Sequence, residues 1–114
     1  AAERIARTLL ENSGLKFIRS NYSCRFGELD LVMRDRDALV VIEVRYRRRT
    51  GIMHPADSIT PAKIRRITRA TRHFLKAHPR WRNAPVRFDF VGLHGSLTHP
   101  EMNWIRDAFT IDDD

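Results

Sequence analysis

Residues 27–49, GELDLVMRDRDALVVIEVRYRRR, decide the fold of this 114-residue chain. Two runs, 28–34 and 38–47, alternate between two faces with the two-residue period of a β-strand. In the first run, alternation places Leu29, Leu31 and Met33 on one face and Glu28, Asp30 and Val32 on the other. The intervening Asp-Arg-Asp, residues 35–37, is typical of a turn. The stretch therefore predicts a β-hairpin.

The register of this hairpin decides which side chains meet. A two-residue loop pairs Asp35 with Ala38 and sets Asp30 opposite Glu43. Side chains at such a pair share a face, with Cβ atoms about 4.5–5.5 Å apart. A three-residue loop would instead set Asp30 opposite Ile42, because a slip of one residue exchanges the faces. The two-residue loop thus predicts a pair of neighbouring carboxylates.

Two carboxylates side by side repel each other unless a cation lies between them. Arg45 lies on the same face as Glu43, two residues further on, and is one candidate. A divalent metal such as Mg²⁺ is the other, because hard cations take carboxylate oxygens. A solvated face that simply carries charge is the alternative. Glu43 argues against it, since residues 39–44 otherwise look like a buried strand, where a charge needs a partner.

The residues also resemble a known family. Asp30 followed by Glu43-Val44-Arg45 resembles the signature of the PD-(D/E)xK nuclease superfamily. Over nearly the whole chain, the sequence is similar to the YraN-like family, which is related to Holliday-junction resolvases. The motifs that carry this are Ala2-Glu3, Asn21-Tyr22, Gly27-Glu28-Leu29-Asp30, Glu43-Val44-Arg45-Tyr46-Arg47, Lys63-x-x-Arg66 and Arg87-Phe88-Asp89. The chain departs from the family at Arg45, where lysine is usual.

The resemblance implies a restriction-endonuclease-like core and Mg²⁺- or Mn²⁺-dependent cleavage of DNA, with branched DNA as one candidate substrate. Asp30 and Glu43 would hold the metal. Arg45 would contact the phosphate, because a guanidinium does not deprotonate and cannot act as a base. Glu28 or Glu3 would add a ligand or orient a metal-bound water. Resolvases generally act as dimers, so a homodimer is also implied.

Glu3 and Lys63 each have two interpretations. Glu3 is either a first-turn acid favoured by the helix dipole or, as in the superfamily, an acid that faces the metal site. Lys63 is either part of a basic helix surface or the source of the ammonium that Arg45 does not provide, as in superfamily members whose lysine has moved.

The remaining pattern completes an α/β fold of a single domain, residues 1–114, with a mixed β-sheet flanked by helices. Thr60 as N-cap and Pro61 in the first turn begin a second helix, and His78-Pro79 ends it. Gly27 marks a bulge or a close backbone approach. The predicted order is α-β-β-β-α-β-β: helix 1–13, strands 15–22, 28–34 and 38–47, helix 61–78, strands 86–93 and 104–111, then a tail at 112–114.

Charge is concentrated in the middle of the chain. The whole sequence carries 21 Lys and Arg against 14 Asp and Glu, a formal net charge of +7. Residues 45–87 hold thirteen of these basic residues and only one acid, Asp57. On the second helix the basic residues follow three-residue spacing, which predicts a ridge beside the apolar stripe. A nucleic acid, in particular DNA, is the expected partner, and solubility is the alternative. The predicted contacts are Arg47, Lys63, Arg66 and Arg69.

Several protein classes are excluded or disfavoured. Cys24 is the sole cysteine, so neither an internal disulfide nor a cysteine-rich zinc site is possible. No apolar run approaches the roughly 18 residues of a membrane span, and no signal segment is evident. We therefore expect a cytoplasmic protein without a membrane partner. The rivals to a nuclease are a non-catalytic nucleic-acid-binding module and a protein-interaction domain whose basic helix meets an acidic partner.

Overall fold

A five-stranded mixed sheet with a helix on each face forms the core of the protein. The structure, a computed structural model, describes residues 1–110. The elements are α1 (Ala2–Asn12), β1 (Lys16–Cys24), β2 (Gly27–Asp35), β3 (Ala38–Arg47), α2 (Pro61–Ala77), β4 (Val86–His94) and β5 (Glu101–Ile105). Short 3₁₀ turns occupy Pro55–Asp57 and Pro79–Trp81. The predicted mixed α/β fold and element order are confirmed, up to the position of the last strand.

The strands lie in the order in which they occur along the chain. β1, β2 and β3 form an antiparallel meander, β4 runs parallel to β3, and β5 is antiparallel to β4. A parallel pair needs a long crossover connection, and α2 provides it. α1 packs over Leu31, Met33, Val40 and Ile42 on one face, whereas α2 packs over Val32, Leu39, Val41 and Phe88 on the other. The sheet is thus covered by a helix on both sides.

The hairpin between β2 and β3 has the predicted two-residue loop. Asp35 pairs with Ala38, and the register continues to Leu31 opposite Ile42. Arg36 has a φ of 58°, as the first residue of a primed hairpin turn requires. The two-residue register is therefore confirmed as far as Leu31.

The predicted alternation of β2 is wrong at its N-terminal end. Leu29 packs on the α2 side, whereas Leu31 and Met33 pack on the α1 side. The regular pleat is interrupted at Asp30, which lies opposite Asn21 in the β1–β2 register, and Asn21 has a φ of 50°. A left-handed residue in one strand bends the pair locally. Asp30 therefore lies at a bend rather than in a regular strand.

The last strand begins and ends earlier than the sequence predicts. β5 is Glu101–Ile105, not 104–111, and Asp107 with a φ of 52° lies in the turn that follows. The reason is Asp89, whose carboxylate accepts hydrogen bonds from Trp104 Nε1 and from Asp107 N, both at 3.0 Å. These bonds end the ladder, and Phe109 then packs on Phe88. Residue 111 and the predicted tail at 112–114 lie outside the described residues.

Within residues 1–110, no helix is both long and apolar enough to cross a membrane.

Candidate functional site

Glu43 is a carboxylate in the middle of a buried strand. It is 1% exposed, lies on the α2 side of β3 and has Phe90 as its partner on β4. Among the described residues, its Oε1 accepts no hydrogen bond. Burial of an ionised carboxylate without donors is costly, so such a group usually has a charged or metal partner. This buried carboxylate is the centre of the candidate site.

Asp30 reaches the same place from β2. Its Oδ2 accepts a hydrogen bond from Val44 N at 3.0 Å. In the register set by Asp35 and Ala38, that amide would point at the carbonyl of Leu29, so the carboxylate takes the place of a ladder acceptor. The Asp30 and Glu43 carboxyl groups come close enough to share a hydrogen bond when one of them is protonated. The two acids predicted to meet are thus neighbours.

The electrostatics of the two acids reflect this proximity. Burial, followed by the charge of Asp30, raises the pKa of Glu43 to about 8, and Arg45 opposes the rise. Burial also raises the pKa of Asp30, against the lowering effects of the Val44 amide and of Arg45. Both shifts mean that two negative charges are unfavourable here without added positive charge.

Two cations face Glu43. Lys63 Nζ lies 3.1 Å from Glu43 Oε2, and Arg45 Nη2 lies 3.9 Å from the same atom. Lys63 is positioned by the start of α2, where Thr60 Oγ1 accepts a hydrogen bond from Lys63 N at 3.2 Å. The N-cap and Pro61 predicted from sequence are therefore confirmed, and they set the side chain that meets Glu43.

Glu3 and Glu28 lie at the edge of the site. Both raise the pKa of Asp30, so both are near enough to act on it through space. Glu28 is exposed, and its Oε2 accepts a hydrogen bond from Ser23 Oγ at 3.2 Å. In the part of the chain that the structure describes, no three His, Cys, Asp or Glu residues are arranged to hold a metal ion. The structure thus brings Asp30, Glu43, Arg45 and Lys63 together, whereas Glu3 and Glu28 lie at the edge of the site.

Comparison with known proteins agrees with the motifs. Residues 2–93 match the family described as uncharacterised protein family UPF0102. The chain belongs to this family. The YraN-like resemblance is thereby confirmed. A UPF0102 protein of Nitrosococcus oceani is 44% identical over 111 residues, covering 97% of this chain and 90% of the relative. One from Xanthomonas euvesicatoria pv. vesicatoria is 48% identical over 113 residues, covering 99% and 91%.

The basic surface of the UPF0102 protein lies along α2. Arg66 and Arg69 are exposed, and neither forms an ion pair with an acid among residues 1–110. Gly27 lies against α2 near the acids, since a Cβ at Gly27 would lie 3.4 Å from Arg66 Cβ. The close approach predicted at Gly27 is confirmed, and it fixes Arg66 next to the start of β2.

Arg47 has a different environment from the other predicted DNA contacts. Its Nη2 donates hydrogen bonds to the carbonyls of Gly51 at 3.3 Å and Ile52 at 3.1 Å. The guanidinium therefore anchors the loop that follows β3. Sequence analysis did not identify this role, because a contact to backbone carbonyls leaves no residue pattern.

The loop after β3 also contains a residue that the sequence analysis missed. Met53 is buried against Phe90, and its carbonyl accepts a hydrogen bond from Asn103 Nδ2 at 2.7 Å. A Cβ at Gly92 would lie 2.9 Å from Met53 Cε and 3.2 Å from Met53 Cβ, so a side chain there would displace Met53. A glycine inside a strand often marks such a close approach, and Gly92 was the signal available. The loop thus closes over the sheet beside Glu43 and Phe90.

Proposed function

We propose that this UPF0102 protein is a metal-dependent endonuclease-like protein that hydrolyses phosphodiester bonds in DNA, including branched DNA. The observation that carries the proposal is the buried Glu43 carboxylate, which lies beside a second acid, two cations and a basic helix. A purely structural strand would gain stability from an apolar residue at this position. A costly arrangement of this kind is typical of a functional site.

The donor set fits a magnesium-type cation. Mg²⁺ commonly binds through one or two carboxylates and keeps several waters, so Asp30 and Glu43 would suffice without a third acid. Glu43 Oε1 has no hydrogen-bond donor among residues 1–110 and so has free lone pairs, and the raised pKa of both acids indicates missing positive charge. When bound, such an ion supplies an activated water and neutralises charge on the scissile phosphate. Mn²⁺, which has the same preference for oxygen ligands, fits as well.

The cations around Glu43 have distinct roles in this proposal. Arg45 is about one-third exposed and is suited to contact a phosphate from the solvent side. Lys63 is more buried and approaches Glu43 from α2, where it stands in for the lysine that the family usually has at position 45. Its ammonium would stabilise negative charge on the phosphate and orient Glu43. Glu28 and Glu3 would hold waters at the rim.

A non-catalytic DNA-binding module is the second candidate. The favouring observation is that Glu43 already contacts Lys63 and Arg45, so its charge has partners without a metal. The substitution of lysine by Arg45 points in the same direction. Metal binding separates the two candidates, because a module needs none.

The decisive experiment is a cleavage assay on Holliday-junction, flap and linear DNA with and without Mg²⁺. We expect Mg²⁺-dependent products, and a loss of about a hundredfold or more in Asp30→Asn and Glu43→Gln, the size that loss of one transition-state contact typically causes. Glu11→Gln, an exposed acid on α1, is the matched control and should remain active. Metal-independent binding without cleavage would favour the second candidate.

Because a junction requires cuts in two strands, we also propose a homodimer on branched substrates, which sedimentation with junction DNA would show.

A further inference from the structure

A shallow depression lies between the β1–β2 turn and α2. Its volume is about 270 Å³ and its surface is mainly apolar. The residues that border it are Arg25, Phe26, Arg69, Arg72, His73 and Lys76. An apolar floor surrounded by cations suits a ligand that combines a flat apolar group with negative charge.

The floor of this depression presents π surfaces in a fixed arrangement. The ring of Phe26 approaches that of His73 at 6.2 Å between centroids and 64° between planes. The Arg25 guanidinium lies 4.8 Å from the centroid of Phe26. His73 is held in turn by the hydroxyl of Tyr22, which hydrogen-bonds Nδ1. Aromatic rings and guanidinium planes are the groups on which proteins stack nucleobases.

The depression borders α2, the helix whose Lys63 faces the acid pair. With a rise of 1.5 Å per residue, Arg69 is about 9 Å and His73 about 15 Å along the axis of α2 from Lys63. Arg66 lies between Lys63 and Arg69 on α2. It contacts Gly27, which follows Phe26 directly and begins β2. A strand of DNA that crosses Glu43 and follows the exposed Arg66 and Arg69 would therefore reach Phe26.

We propose that this depression binds an unpaired nucleobase of a DNA substrate. Phe26 stacks on the base, His73 and Arg25 contact its edges, and Arg69 and Lys76 contact its flanking phosphates. Bases inside a duplex have both faces covered by their neighbours, so the depression selects DNA with a single-stranded or frayed segment. The inference rests on the proposed action on DNA and specifies the class of substrate, but the base contact itself requires no metal and no hydrolysis.

The test is DNA binding in EDTA, measured by fluorescence anisotropy on a blunt duplex and on the same duplex with a short single-stranded overhang. The wild-type protein should prefer the overhang by at least about fivefold, the weakest effect typical of one stacked base. Phe26→Leu should lose that preference and Phe26→Trp should keep it. Phe17→Leu is the matched control, because Phe17 is also a half-buried ring under a guanidinium, that of Arg7, but packs on the α1 side.

A second readout uses the wild-type protein alone, so that it does not depend on the folding of a variant. The fluorescence of 2-aminopurine at the first unpaired position should be quenched on binding, whereas the same base inside the duplex should not change. Equal affinity for both DNAs, or a preference that Phe26→Leu retains, would overturn the proposal. Binding of a Glu-rich peptide but of neither DNA would overturn it in favour of a protein partner. A preference for the overhang without any Mg²⁺-dependent cleavage would overturn the proposed hydrolysis and leave the proposed base contact standing.

Discussion

At the scale of single residues, burial makes the charge of Glu43 a determinant of stability. Its pKa is about 8 in the folded protein, against 4.5 for an unperturbed glutamate. Between these values the unfolded chain ionises Glu43 while the folded protein keeps the proton. The folded state then binds more protons, so the free energy of unfolding falls as the pH rises from about 4.5 to 8.

We expect Glu43→Gln to remove this pH dependence in the metal-free protein. The wild-type protein should lose stability relative to the variant across this pH range, by an amount on the order of a few kcal/mol. Urea unfolding at pH 5, 6.5 and 8 measures the difference. Glu11→Gln, whose carboxylate is exposed, should run parallel to the wild type. Parallel curves for Glu43→Gln as well would show that the Glu43 carboxyl titrates normally.

The same shift predicts how metal binding depends on pH. A divalent cation competes with the proton on Glu43, so affinity for Mg²⁺ should rise by about tenfold per pH unit up to pH 8 and then level off. Titration calorimetry at pH 6.5, 7.5 and 8.5 checks this, with Asp30→Asn and Glu43→Gln expected to abolish binding and Glu11→Gln to retain it. Affinity that is unchanged in both site variants would remove these acids from the proposed metal site.

At the scale of elements, local signals were sufficient where the chain obeys a single period. The hairpin register followed from the turn at residues 35–38, and the start of α2 followed from Thr60 and Pro61. The bend at Asp30 could not be predicted, because it depends on Asn21 in a neighbouring strand. The end of β5 depends in the same way on Asp89, 15 residues before Trp104. The bounds of an element were therefore predicted correctly where its own residues set them, and wrongly where a residue of another strand sets them.

The exposed arginines of α2 predict a salt-dependent interaction with DNA. Each phosphate contact releases counterions, so log affinity should fall with log salt by about 0.9 per contact on duplex DNA. Arg66→Gln with Arg69→Gln should weaken binding to all sequences alike and flatten the slope by roughly one unit per lost contact. Both residues are exposed, so the fold should be retained. The measurement is anisotropy at several salt concentrations.

The matched control for this double variant is Arg4→Gln with Lys16→Gln. It removes the same charge at exposed positions on α1 and at the start of β1. If slope and affinity change equally in both double variants, the effect reflects net charge alone, and α2 is not the DNA-binding surface.

At the scale of the whole molecule, the site depends on the crossover. Glu43 and Arg45 were identifiable from one strand, but the contact between Lys63 and Glu43 forms only because α2 returns across β3 to begin β4. The sequence alone left two interpretations of Lys63 open, because the pattern of α2 does not show which side chain of the sheet it meets. The same crossover brings most of the basic segment to one side of the sheet. The tertiary fold thus decides which of the charged side chains evident in the sequence come together at the site.

Asp89 hydrogen-bonds to β4, β5 and the turn after β5, and its loss should be costly. It is fully buried, and its carboxylate accepts hydrogen bonds from Arg87 at 3.0 and 3.1 Å as well as from Trp104 and Asp107. Arg87 also binds Asp35 at 3.0 Å, so one network joins the hairpin tip, β4, β5 and the turn after it. Asp89→Ala leaves buried donors unpaired, and we expect a loss of about 3 kcal/mol or more in the free energy of unfolding, measured with urea.

Asp35→Ala is the matched control. It removes one contact to the same arginine from a side chain that is 27% exposed, and it should cost about 1 kcal/mol or less. Equal losses in the two variants would mean that β5 and its turn are held by packing rather than by this carboxylate.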